Sequence, residues 1–151
     1  MPKYQEGDWF AVPLREGGFA IGVVARSNPK AALLGYFFGP RRYEAPQLEE
    51  AASLRPEDAV LVGKFGHLGL PQGKWPILGQ LNGWDRTKWP MPVFVRYEEL
   101  TGRTFQVFYD ADDPAKLLGE KQVESAATGQ NPEDGLMGAG YVEIVLTKRL
   151  Q

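Results

Sequence analysis

The chain has 151 residues, 17 basic against 19 acidic, a net charge of −2 and no cysteine. Disulfides, thiolate metal sites and a cysteine nucleophile are excluded, and the near-neutral balance lacks the basic excess of an ordinary nucleic-acid binder. The length suits one domain spanning 1–151, large enough to bury roughly 68–70% of its unfolded surface without a staple.

Met1 to Gln5 runs straight into polar sequence rather than into a leader, and no apolar run approaches the ~20 residues of a membrane span. These features suggest a cytoplasmic protein away from membranes.

The first forty residues carry the clearest pattern. From Trp9 to Leu14, alternation sets Phe10, Val12 and Leu14 on one face and Trp9 and Ala11 on the other, which predicts a strand. Pro13 has no N–H to give a ladder, so this end belongs at an edge or a bulge. Gly17-Gly18 suits a hairpin reversal. The next run sets Phe19, Ile21, Val23 and Ala25 against Ala20, Gly22 and Val24, apolar on both sides until Arg26. Such a strand is covered twice. Ser27-Asn28-Pro29 reads as a turn, and Leu33 to Phe38 as a third strand, stopped by Gly39-Pro40. Gly22 and Gly35 inside these runs predict tight bends or close approach.

Next, Pro46 with Glu49 and Glu50 predicts a short helix, ended by Arg55-Pro56-Glu57-Asp58. A strand is expected at 59–62 and a brief one at 75–79. Residues 83–90 read as an ordered loop pinned by its tryptophans. Val93 to Tyr97 and Thr104 to Tyr109 form a second hairpin. Pro114 to Lys121 reads as a short helix, 123–135 as a mobile loop, and 138–151 fits either helix or strand, with Lys148 and Arg149 favouring a helix end. The fold class is therefore α+β and mainly β: a strongly curved antiparallel sheet or small, partly open barrel with an SH3-like start and two or three short helices.

No residue set announces a chemistry. His67 stands alone with no nucleophile spaced to pair with it. Asp110-Ala111-Asp112-Asp113 looks superficially like a calcium loop, but Lys116 and Gln122 occupy the places of the required Gly and Glu, so an acidic turn or helix cap explains it better. Glu49/Glu50 and Glu98/Glu99 are adjacent pairs typical of plain surface rather than a spaced acid and base. No glycine run has the spacing of a dinucleotide or phosphate loop. No metal or other cofactor is implied. Trp84, Asp85, Arg86 and Trp89 make the most distinctive polar spot. They either pin their own loop or anchor an interface, where Trp and Arg are enriched.

The opening resembles the immunity protein 26 family of bacterial polymorphic toxin systems. The residues that carry the resemblance are Gly7, Asp8, Trp9, Phe10, Ala11, Pro13 and Leu14, followed by Phe19, Ala20, Gly22 and Val24. It is clear over residues 1–40 and looser over about the next seventy. The resemblance implies a non-enzymatic antitoxin that binds a cognate toxin domain in the cytoplasm and blocks it. The candidate contacts are Trp84, Asp85, Arg86, Trp89, Asp110 and Asp112. The alternative is a small β-barrel module for peptide or nucleic acid, with Tyr36, Phe37 and Trp84 as a stacking shelf. An enzyme ranks third, because nothing in the spacing brings carboxylates or His67 together.

Overall fold

The computed structural model describes residues 4–28, 30–66 and 75–151. His67 lies outside them. In chain order the strands are β1 (Asp8–Pro13), β2 (Phe19–Asn28), β3 (Ala32–Arg42), β4 (Leu61–Phe65), β5 (Ile77–Gln80), β6 (Phe94–Glu98), β7 (Arg103–Tyr109), β8 (Leu117–Val123) and β9 (Leu136–Met137). One α-helix follows, α1 (Ala139–Arg149), and short 3-10 turns occupy Leu48–Ser53, Pro56–Asp58, Arg86–Lys88 and Ser125–Thr128. Six strands form one sheet in the order β5-β1-β2-β3-β4-β9, and three form a second in the order β6-β7-β8. The fold is α+β and mainly β, and among the described residues neither sheet closes into a barrel.

The alternation along the first three strands does what it predicts. Phe10, Val12, Leu14, Ala20, Val24, Leu33 and Phe37 face one way, packed with Trp75 and with Val142 and Leu146 of α1. Trp9, Ile21, Val23, Ala25, Leu34, Tyr36 and Phe38 face the other way, packed with Ala51, Trp89 and with Phe94 and Val107 of the second sheet. The large sheet is thus a middle layer, with α1 on one side and the small sheet on the other. This double cover is why β2 has no polar face. Gly22 and Gly35 are sites of close approach: a Cβ on Gly22 would lie 2.5 Å from Phe10 Cζ, and one on Gly35 would lie 2.6 Å from Phe65 Cε1. The C-terminal segment, open between helix and strand in the sequence, is a helix that buries Val142 and Leu146.

Several expectations change. β3 does not stop at Gly39-Pro40 but runs on to Arg42. The register jumps from Ile21↔Phe38 to Phe19↔Arg42, so Gly39-Pro40 is accommodated as a bulge. The strand expected at 59–62 is shifted to Leu61–Phe65. The helix expected from Pro114 is instead β8, paired with β7 from Thr104↔Val123 to Tyr109↔Leu117. Pro114 sits in the turn before it, closed by Asp110 N–H donating to Lys116 O at 2.9 Å. The stretch 123–135 is not a plain loop either. It holds a 3-10 turn, and then Val95 N–H donates to Pro132 O and Asp134 N–H to Val95 O, both at 2.8 Å. Two residues on, Leu136–Met137 pairs in parallel with Lys64–Phe65. Residues 132–137 therefore form a strap that ties β6 of the small sheet to β4 of the large one.

A buried ionic knot holds the strap. Lys64 Nζ lies 3.1 Å from Asp134 Oδ1 and 3.6 Å from the centre of the Tyr109 ring, and Tyr109 Oη donates to the same Asp134 oxygen at 2.6 Å. Burial first, and then the Asp134 carboxylate, push the Tyr109 phenol far above its usual value.

A charged face built on a buried arginine

The N-terminal end of β1, the loop 82–90 and the turn 110–116 meet at one end of the molecule. Arg26, near the end of β2, organises them from beneath. Its guanidinium donates to Ala111 O at 2.6 Å, Trp89 O at 3.0 Å and Arg86 O at 3.3 Å, and to the carbonyl of Ala25. One side chain thereby fastens both surface segments to the central sheet. Burial, then the neighbouring Arg86 charge, lower the Arg26 pKa, while Glu6 and Asp112 pull the other way. Sequence reasoning missed Arg26, because a lone arginine after an apolar strand reads as the point where the strand meets solvent. The only signal was its position directly after nine residues with no charge.

Above it, Arg86 forms the centre of the exposed cluster. Its Nη2 lies 2.9 Å from Glu6 Oε1 and its Nε 3.1 Å from Glu6 Oε2, a bidentate pair, while Nη1 donates to Asp112 Oδ1. These hydrogen bonds, to Glu6 first and Asp112 second, raise the Arg86 pKa. Trp84 Nε1 donates to Glu6 Oε2 at 3.0 Å, so Glu6 is shared between the tryptophan and the arginine. Asp85 caps its own short turn, accepting from Thr87 Oγ1 at 2.6 Å and Thr87 N–H at 3.0 Å, and both bonds hold its carboxyl below the usual range. Asp110 accepts from Asp112 N–H at 2.9 Å, which shapes the acidic turn. Asn28 Nδ2 donates to Asp113 Oδ1 at 3.0 Å and ties that turn to the end of β2.

The structure brings together Trp84, Asp85, Arg86, Asp110 and Asp112, but it removes Trp89 from the surface. Trp89 is 7% exposed and packs edge-on against Trp9, Tyr36 and Phe38, with Trp84 stacked on it at 5.9 Å. Trp89 is a core residue whose outer ring face is already covered. Trp84 is half-buried, and beside it lies a shallow hollow of about 270 Å³ lined also by Leu54, Leu81 and Lys88. Glu6 was missed because it precedes the first strand and stands alone in the sequence.

The alternative stacking shelf is not formed. Tyr36 and Phe37 are consecutive in β3 and point to opposite sides of the sheet, Phe37 completely buried and Tyr36 capped onto Pro90 O. One glutamate of each adjacent pair is likewise occupied. Glu50 accepts from Gln47 N–H and from Arg42, and Glu98 from Thr101 and Arg96. Among the described residues no three acidic or histidine side chains converge as a metal site would require. No helix there is long and apolar enough to cross a membrane.

A family model described as Immunity protein 26 matches residues 5–106. That span takes in the large sheet from β1 to β5, the Trp84–Trp89 loop and most of the β6–β7 hairpin. Neither a curated protein nor a solved structure matches the chain.

Proposed function

The chain belongs to the immunity protein 26 family, and from that premise we propose that it is a non-catalytic antitoxin that binds one cognate toxin domain and neutralises it by stoichiometric contact. Residues 1–151 work as one domain in this reading, and the protein acts in the cytoplasm, where the toxin would otherwise do its damage. The family match is the observation that carries the proposal.

The Arg86 face supports it as the contact surface. An inhibitor loses less entropy on binding when its charged groups are already fixed, and Arg86 is held by Glu6 and Asp112 before any partner arrives. Four carboxylates, Glu6, Asp85, Asp110 and Asp112, outnumber Arg86 and Lys88 on this face. The fitting toxin surface is therefore basic, and opposite charge speeds encounter as well as fixing register.

The test is co-expression with the toxin domain encoded beside this gene, followed by gel filtration of the purified pair. A one-to-one complex and restored growth are expected. An Arg86→Ala variant should bind about 30-fold more weakly if Arg86 is a hot spot. No complex and no protection would end the antitoxin reading. An intact complex with Arg86→Ala would move the contact face elsewhere on the molecule.

A further inference from the structure

The strap leaves a gap in the sheet. Where it pairs with β4, Gly66 N–H donates to Met137 O at 3.1 Å, and the parallel register is Lys64↔Leu136 and Phe65↔Met137. Backbone groups in a strand alternate sides, so Lys64 and Gly66 turn their N–H and C=O towards the strap, and Val62, two residues back, turns its groups the same way. A continued ladder would place Asp134 opposite Val62, with Val62 N–H donating to the carbonyl of Glu133. The pairing instead ends at Lys64. Gly135, at φ +136°, lets the strap bend away to reach β6.

The strap's other edge fixes the orientation of Glu133. Pro132 C=O and Asp134 N–H both bond Val95 of β6, so the N–H and C=O of Glu133, between them, point back towards β4. Two strand edges thus face each other across a cleft of about 930 Å³, with Val60, Leu61 and Val62 on one side and 130–134 on the other. Tyr141 and Arg149 of α1 line the same cleft. Arg149 donates to the carbonyl of Val60, which closes one end.

We propose that this slot is a strand-acceptor site, which binds an extended segment of a partner polypeptide between β4 and the strap. The occupant is set by the backbone groups. Val62 and Glu133 present donor and acceptor pairs on opposed edges, and only a main chain in extended conformation offers matching pairs on both of its own edges. The exposed side chains of Leu136 and Tyr141 beside the slot would cover alternate apolar residues of the incoming segment. Its insertion would join β5 through β8 into one continuous sheet. The slot uses none of the Arg86 face, so the proposal stands whether or not that face binds a toxin.

The test uses the full chain and a displayed library of linear nonapeptides, with the selected peptides then synthesised. Amide hydrogen exchange should show Val62 and Glu133 unprotected in the free protein and protected with peptide bound. Val62→Pro removes a donor that only the occupant needs, since the amides facing β3 belong to Leu61 and Gly63. It should weaken peptide binding about tenfold, the scale of losing one buried hydrogen bond, and leave β3–β4 exchange unchanged. N-methylation of either set of alternate peptide residues should weaken binding, because each set serves one of the two edges. Protection of both amides in the free protein, selected peptides that bind Val62→Pro undiminished, or a library that yields none bound at the slot would each overturn the proposal. If Val62→Pro loosens β3–β4 exchange, Glu133→Pro makes the same test from the opposite edge, with the same two readings.

Discussion

Arg26 does more to shape the candidate face than any residue on its surface. Its four carbonyl acceptors belong to the sheet, the tryptophan loop and the acidic turn. Arg26→Ala leaves those carbonyls under-satisfied and should cost about 2–4 kcal/mol, since hydrogen bonds to charged groups are the stronger class. Urea unfolding would measure it, and an unchanged midpoint would show the carbonyls to be served by water. Tyrosines set the alkaline limit. Tyr4 and Tyr36 are both pushed up to about 12, chiefly by burial, with Asp8 adding to the rise at Tyr4 and Arg26 opposing it at Tyr36. A phenol whose folded pKa exceeds its unfolded one contributes stability fully below the unfolded value, and that stability is lost as pH climbs through the folded one. Stability should therefore fall between about pH 10 and about pH 12. The double variant Tyr4→Phe, Tyr36→Phe should flatten that fall in urea midpoints taken across the range. An equal slope in both proteins would assign the alkaline loss to other groups.

At the scale of the element, legibility followed burial. The two faces of β1, β2 and β3 could be read from alternation, because both are buried and each left its own period-two signature, whereas the far ends of β2 and β3, where Ser27-Asn28 and Gly39-Pro40 imitate stops, could not. β8 could not. Leu117 and Leu118 are adjacent and both more than half exposed, and Gly119 to Gln122 shows no alternation, while Pro114 imitates a helix start. An outer strand bears little packing constraint, so its sequence carries little pattern. The strap was invisible for a related reason: a two-residue pairing leaves no period to detect. The candidate site was half legible. Trp84, Asp85, Arg86, Asp110 and Asp112 stood out by type, whereas Arg26 and Glu6 join them only through contacts distant in sequence. The glycines of β2 and β3 show the opposite case, a local signal with a packing cause. Gly22→Ala drives a methyl into the Phe10 and Phe37 rings, and overpacking of this kind costs typically 1–3 kcal/mol. Thermal unfolding of that variant checks it. A melting temperature equal to the parent's would mean that the rings yield freely.

For the whole molecule, the joint between the two sheets matters most. Lys64 is 7% exposed and its only carboxylate partner among the described residues is Asp134. Asp134→Ala strands that ammonium and frees the Tyr109 hydroxyl, and breaking a buried pair from one side costs about 3–5 kcal/mol. The loss should be uneven. Hydrogen exchange at Val95 and Gly66, whose amides bond the strap, should rise well before exchange in β1 to β3, because the strap is released first. Uniform loosening would show the sheets to be coupled through the core rather than through the strap.

The helix that lids the Phe10–Phe37 side of the large sheet is translated after every strand it covers. A nascent chain therefore shows that aromatic surface bare until residues 139–149 leave the ribosome, and a premature stop before Gly138 would leave it bare for good. Nonsense mutations between β9 and α1 should thus yield sticky, chaperone-bound product rather than a slightly weakened protein.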